Sequence, residues 1–297
     1  MKDVSIPFDL SGSSALPSTL TLGGSAWIGS AGDNDNEPDP PPPGPRPSQL
    51  RRFVETEPAS DAREPKNFYL DSGSRGLGKT WKDRARANVD AIRTASEIER
   101  RGGPASREEQ ERLIRFTGFG ATELACCMFR RPGEGAFRRG WERLAEDLET
   151  AVSRQDYASL ARCTQYAHYT PEFIIRAIWS GLRRLGWRGG RILEPGVGTG
   201  LFPALLPEDY RERAHVTGIE LDPVTARIAR LLQPQARIIN QDFARTELAS
   251  VFDLAIGNPP FSDRVVRSDR AYRSLALRLH DYFIVRSIDC LKPGGLA

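Results

Sequence analysis

With 297 residues and a formal net charge of +3, the chain is long enough for one large core or two smaller ones. Four cysteines, Cys126, Cys127, Cys163 and Cys290, stand without metal-ligand spacing, which excludes a disulfide scaffold and a zinc-finger class and reads as buried thiols in a reducing compartment. The sequence carries no apolar run of about 18 residues and no apolar centre of a signal peptide, so the expectation is a cytoplasmic protein with no membrane partner.

In chain order, the first fifty residues are rich in Ser, Gly, Pro and Asp and contain the run Pro40-Pro41-Pro42-Pro43-Gly44-Pro45. They hold two basic residues, Lys2 and Arg46, against six acidic ones, so residues 51–297 carry +7 by the same count. Such a stretch cannot offset its ordering entropy by burial, and residues 1–65 read as a disordered, acidic tail or polyproline spacer. The positive excess of the remainder suits an anionic partner.

Residues 66–163 read as mostly helical. Gly73-Ser-Arg-Gly-Leu-Gly78-Lys79-Thr80 satisfies the phosphate-loop pattern GxxxxGK[ST], but Asn67-Phe68-Tyr69-Leu70-Asp71 before it is a poor strand. The segment is expected to be a flexible basic loop. Lys82 to Arg101 forms a helix whose apolar stripe is Ala85, Val89, Ile92, Ala95 and Ile98, ended by Gly102-Gly103-Pro104. A second helix opens at Ser106, with Glu108 and Glu109 in its first turn. Phe116-Thr-Gly-Phe-Gly120 is a loop, and a helix bearing Trp141, Leu144 and Leu148 follows.

Residues 164–297 change to alternating strand and helix. Thr170-Pro171 predicts an N-cap and first helical position for a helix over 172–185. Strands are expected at 191–193, 215–219, 236–239 and 252–256, with Asp222-Pro223 starting the helix between the second and third. A helix over 281–291 is expected to end at Lys292-Pro293-Gly294-Gly295, with a fifth strand only beginning at Leu296. The alternation predicts an α/β fold, a Rossmann-like doubly wound sheet with helices on both faces, cut short at its far edge.

Ligands of such sheets bind at the carboxyl ends of the strands, and four successive ends carry ligand-type residues. Glu194-Pro195-Gly196-Val197-Gly198-Thr199-Gly200 follows the first strand, where glycines allow close backbone approach. Glu220 ends the second, suited to ribose hydroxyls, a feature shared with dinucleotide enzymes. Asn240-Gln241-Asp242-Phe243 ends the third, with a carboxylate and a ring for an adenine. Asn258-Pro259-Pro260-Phe261 ends the fourth: a rigid turn presenting an amide oxygen, the Pro259 carbonyl and an aromatic face. Two acceptors beside a ring suit a planar group with an exocyclic amine, and point to methylation of an amino nitrogen.

Together these motifs resemble the catalytic domain of gamma-class S-adenosylmethionine-dependent N6-adenine DNA methyltransferases, in which Tyr169-Thr170-Pro171 precedes Glu194–Gly200. With Ala167-His168-Tyr169-Thr170-Pro171 and Ile192–Gly196, they more closely resemble the methyltransferase region of large methyltransferase–helicase proteins of plasmids and mobile elements. The likeness extends upstream through Arg86–Ile92 and Phe116–Gly120. It implies S-adenosyl-L-methionine as cofactor, no metal, and DNA as partner with the adenine flipped out of the helix. It also implies DNA methylation of the restriction–modification kind, and a target-recognition region or helicase in a longer protein. Tyr169, Thr170 and Pro171 would lie at the methionine end, and Glu194, Gly196, Gly198 and Gly200 along its amino-acid portion. Glu220 would bind ribose, and Asp242 and Phe243 the cofactor adenine. Asn258 and Pro259 would hold the target amino group, with Pro260 stiffening the turn and Phe261 stacked on the base, where the family more often has Tyr or Trp. His168 reads as a structural histidine. Arg264, Arg267, Arg270, Arg273 and Arg278, against Asp263 and Asp269, offer phosphate contacts or a solvated face. Methylation of RNA or of protein glutamine, and a non-catalytic DNA-binding or antirestriction fragment, remain alternatives.

Overall fold

The computed structural model describes residues 65–71, 73–130, 135–164 and 169–297. The acidic tail through residue 64 and His168 lie outside the described residues.

The helical region begins at α1 (Trp81–Arg101), which Thr80 and Asp83 start with a reciprocal capping box and Gly102 ends at φ 75°. The stripe from Ala85 to Ile98 is buried as its spacing predicts. Asn88, buried within that face, donates to Gly118 O at 2.6 Å and accepts from Thr117 N at 2.8 Å, which pins the Phe116–Gly120 loop. Helices α2 (Arg107–Leu113), α3 (Thr122–Met128), α4 (Glu142–Ala151) and α5 (Arg154–Cys163) complete the layer. Ser106 caps α2 and Ser153 caps α5, each through its hydroxyl.

From residue 172 the order is α6 (Glu172–Arg184), β1 (Gly190–Pro195), α7 (Leu201–Ala204) and β2 (Ala214–Glu220). Then come α8 (Pro223–Leu232), β3 (Arg237–Asn240), β4 (Phe252–Ala255), α9 (Leu279–Asp289) and β5 (Leu291–Leu296). The sheet is parallel throughout, in the order β3-β2-β1-β4-β5. Side chains alternate across it. Ile192 and Leu254 join a core with α6, α7, α8 and the helical layer, while Leu193, Ile219 and Ala255 join a second core with α9. The switch point falls between β1 and β4, because the connection leaving β1 runs one way and the next strands return on its other side.

Three expectations are corrected. The fifth strand is present: Leu291–Leu296 pairs with β4, and Phe252 N donates to Cys290 O at 3.1 Å. An edge strand tolerates Pro293 because an outward position needs no donor, and the register shift between Phe252 and Leu254 is absorbed where Gly294 and Gly295 sit. α6 begins at Glu172, but its cap is Pro171, in an extended conformation, rather than Thr170, and no side chain bonds that cap. The Gly73–Thr80 segment is not simply a solvated basic loop, because Arg75 is 5% exposed and ion-paired.

Candidate active site

A cavity of about 190 Å³ opens at the carboxyl ends of β1, β2, β3 and β4. Its wall includes Tyr169, Thr170, Glu194, Gly196, Gly198, Glu220, Asp242 and Phe243, and also Asn258 and Pro260. Residues from five motifs spread over 92 positions therefore meet at one place. Pro171, Gly200, Pro259 and Phe261 are not part of this wall. Pro171 caps α6, and Gly200 makes the left-handed turn (φ 80°) into α7.

The glycine turn is fixed by its backbone. Gly196 N and Val197 N both donate to Ile219 O, at 2.8 and 2.9 Å, so the turn folds back over β2. Gly198 has φ 56°, and a Cβ there would lie 3.2 Å from the Tyr169 ring. In β2, a Cβ on Gly218 would come within 2.9 Å of Val197, so the close approach of turn and strand needs that glycine.

Four carboxylates line the cavity, and the three at the ends of β1 and β2 are each in a different condition. Asp222 accepts from Thr225 N at 2.8 Å and Ser159 Oγ at 2.7 Å, spending its charge on the cap of α8 and on α5. Glu220 accepts from Gly198 N and Asp222 N, each at 2.9 Å, and so braces both turns. Each carboxylate oxygen has two lone pairs, so capacity for a further donor remains. Burial, opposed by these hydrogen bonds and reinforced by nearby Asp222, pushes the Glu220 carboxyl up to about 7. Glu194 is 2% exposed and its Oε2 has no hydrogen-bond partner. Burial first, then the neighbouring Glu220, drives its carboxyl well above the usual range. A buried acid with an idle oxygen is costly unless a donor or cation arrives.

At the end of β3, Asn240 spends its amide on Glu220 O and Leu221 O, at 2.8 and 3.0 Å. Asp242 caps the short turn Phe243–Arg245 by accepting from Ala244 N at 2.9 Å. The Phe243 ring packs against Phe283, with centroids 4.8 Å apart, and under the Arg286 guanidinium at 4.6 Å. Arg286 is buried and donates to the carbonyls of Phe243 and Thr246 and, at 2.7 Å, to Tyr282 Oη. Tyr282 Oη in turn donates to Asp269 Oδ2 at 2.7 Å, and Arg286 lies 3.4 Å from that oxygen. One buried arginine thus ties the β3 turn to the loop that follows β4.

On the β4 side, Phe261 is 63% exposed and lies beside His280, with ring centroids 6.0 Å apart and planes tilted by 33°. Arg264 reaches the cavity wall. Of the other loop arginines, Arg278 pairs with Asp263 at 3.0 Å and Arg273 donates to Arg267 O at 3.0 Å. Asp269 is turned inward and does not offset the surface charge of its neighbours.

Sequence reasoning missed the wall residues Cys163, Leu221, Leu279 and Phe283. These are apolar or neutral side chains with no chemical signal: Cys163 ends α5, Leu221 follows β2, and Leu279 and Phe283 lie in the first half of α9. It also missed Arg75, whose Nε donates to Glu172 Oε1 at 2.8 Å and whose guanidinium carbon lies 6.0 Å from the Tyr169 ring centre. Among the described residues, no helix is long and apolar enough to cross a membrane.

No protein-family model matches the chain. It is 31% identical over 133 residues to defense against restriction protein B of Escherichia phage P1, covering 43% of this chain and 6% of that protein. It is 36% identical over 92 residues to the tRNA1(Val) (adenine(37)-N6)-methyltransferase of Aliivibrio fischeri (strain MJ11), covering 29% of this chain and 39% of the relative. With the type II methyltransferase M.TthHB8I of Thermus thermophilus it shares 30% over 126 residues, 36% of this chain and 28% of that enzyme. The chain spans less than half the length of each of these three relatives. Two of the three are methyltransferases, and the likeness supports methyl transfer as the class of chemistry.

Proposed function

We propose that the cavity binds S-adenosyl-L-methionine and that the chain transfers its methyl group to the N6 amino group of an adenine in DNA. The observation that carries this reading is the pairing, in one cavity, of the idle buried Glu194 carboxyl with Asn258 of the Asn-Pro-Pro-Phe turn. The residues fit the cofactor. An α-ammonium group would give Glu194 Oε2 the cation it lacks, and Glu220 keeps lone pairs for ribose hydroxyls. Asp242 and the Phe243 ring stand where an adenine would be bonded and covered. Bound there, the cofactor supplies an electrophilic methyl group carried on a sulfonium.

The chain's own part is positioning. The Asn258 amide oxygen and the Pro259 carbonyl accept the two hydrogens of the substrate amine. The amine lone pair, otherwise delocalised into the base, then turns toward the cofactor end of the cavity. Phe261, exposed beside His280, offers a stacking face to a base taken out of the helix. Neither Asn258 nor Pro259 is a base, so the surplus proton passes to water. Arg264, Arg267 and Arg270 face the phosphates, and a recognition region or helicase in a longer protein would choose the site.

A second reading has RNA as substrate, favoured by the likeness to tRNA adenine-N6 methyltransferases. Transfer of labelled methyl from the cofactor to duplex DNA, tRNA or a glutamine-containing protein separates these readings. N6-methyladenine in DNA is the expected product. Product only in tRNA or protein moves the substrate, and cofactor binding without any transfer supports a non-catalytic module.

A further inference from the structure

Among the described residues, seven buried side-chain polar atoms lack a hydrogen-bond partner; Arg112 Nε, Trp187 Nε1 and His280 Nδ1 belong to residues outside the cavity wall. Thr170 Oγ1 and Glu194 Oε2 belong to the cavity wall, and Thr199 Oγ1 lies within the glycine turn. The seventh, Arg75 Nη1, comes from the Gly73–Thr80 segment, outside the sheet altogether. Buried polar groups are nearly always satisfied, so the idle atoms of the wall and its glycine turn call for a polar ligand group; Arg75, not itself part of the wall, lies next to Tyr169, which is.

Arg75 comes to lie beside Tyr169 of the wall because its segment is strapped across the fold. Phe68 N donates to Leu232 O and Leu70 N to Ala204 O, both at 2.7 Å, which lays residues 68–70 over α8 and α7. Arg176 of α6 donates to Leu70 O at 2.9 Å. Arg75 then holds Glu172, in the first turn of α6, through one oxygen at 2.8 Å. Its guanidinium lies beside the Tyr169 ring, whose edge rests on Gly198. A guanidinium presents five N–H donors in a planar fork. Here a single carboxylate oxygen engages Nε while Nη1 is buried and idle.

We propose that Arg75 completes the amino-acid end of the cofactor site, seating the Tyr169–Glu172 wall and offering its spare N–H to the α-carboxylate of the ligand. This rests on the cofactor reading above. Glu194 would then meet the α-ammonium and Arg75 the α-carboxylate, so a zwitterion is read by one acid and one base from separate parts of the chain. The phosphate-loop-like motif thereby acquires a role unrelated to nucleotide hydrolysis: its glycines let the strap turn and its arginine faces inward.

The test compares two probes, S-adenosylhomocysteine, which carries the amino-acid group, and 5′-methylthioadenosine, which lacks it. In the full chain carrying R75M, the affinity for S-adenosylhomocysteine should fall on the order of 10- to 100-fold, the scale of a lost charge-assisted hydrogen bond. That for 5′-methylthioadenosine should stay within about twofold, because its binding groups lie elsewhere in the cavity. The milder R75K keeps the charge and loses the fork, and a several-fold selective loss is expected of it; it carries the test if R75M does not fold. Equal losses for both probes would reduce Arg75 to scaffolding and overturn the proposal, as would no loss for either. Failure of the unaltered chain to bind either probe would instead overturn the cofactor reading.

Discussion

The two sides of the cavity are built differently. On the β1–β2 side the contacts are main-chain turns and buried acids: Gly196, Gly198, Glu194 and Glu220 are held within a few residues of strand ends by backbone hydrogen bonds. On the β4 side, Phe261 and Arg264 stand on a loop running from residue 261 to 278, exposed and fastened below by Asp269 to Tyr282 and Arg286. A small ligand of fixed shape can be enclosed by rigid backbone. A base on a polymer must enter from outside, so its contacts have to remain open. On the proposed function, the β1–β2 side would hold the cofactor and concentrate desolvation cost, and the β4 side would meet the target base and concentrate reach.

If this division is right, substitutions should separate binding of cofactor from transfer. The largest separation is expected of N258A: transfer to DNA from labelled cofactor falls on the order of 100- to 1000-fold, the scale of losing one preorganised hydrogen-bond group. Binding of S-adenosylhomocysteine, followed calorimetrically, should change little; a parallel loss would merge the two sides. E194Q should do the reverse, cutting cofactor affinity by about 10- to 100-fold through loss of a charged partner. The same change should raise the thermal stability of the ligand-free protein at neutral pH. The raised carboxyl must be protonated on folding there, whereas near the unfolded pKa and below it the two proteins should melt alike.

Loss of stacking in F261A should weaken DNA binding by about tenfold, measured by fluorescence anisotropy, with cofactor affinity intact. D269N loosens the loop from Tyr282 and Arg286; an increase in DNA KM of roughly fivefold is expected. Hydrogen exchange across residues 262–278 should rise while that of the β1 turn does not. The smallest effect concerns pH. Glu220, raised to about 7, binds a proton in the ligand-free fold that the unfolded chain gives up, so its contribution to stability falls as pH rises from about 4.5 to about 7. If the cofactor's hydrogen bonds and ammonium favour the ionised acids, binding releases protons. Affinity should then rise a few-fold across the same interval and level off above it. Calorimetry in buffers of different ionisation enthalpy would detect the release, and proton uptake on binding would contradict it.

Much of this was legible in the chain because it is written in local chemistry. The alternation of apolar runs with capped helices located the sheet and its strand ends. Asp222-Pro223 caps α8 as its residue types predict, since capping involves only neighbours in sequence. The glycine turn and the Asn-Pro-Pro-Phe turn are likewise short-range: positive φ and missing donors constrain the backbone wherever they occur.

Tertiary structure alone decided the rest. Whether Lys292-Pro293-Gly294-Gly295 is a turn or an edge strand depends on β4 lying beside it, and no local preference carries that information. Glu194 and Glu220 looked alike at two strand ends, yet one braces two turns and the other keeps an idle oxygen, because Gly198 and Asp222 approach only Glu220. Arg75 and Asp269 read as solvent-facing charges, and both are turned inward by partners about 97 and 13 to 17 residues away. Sequence determined which groups arrive at the ends of the strands; packing between distant segments decided which of them are satisfied, buried or left to meet a ligand.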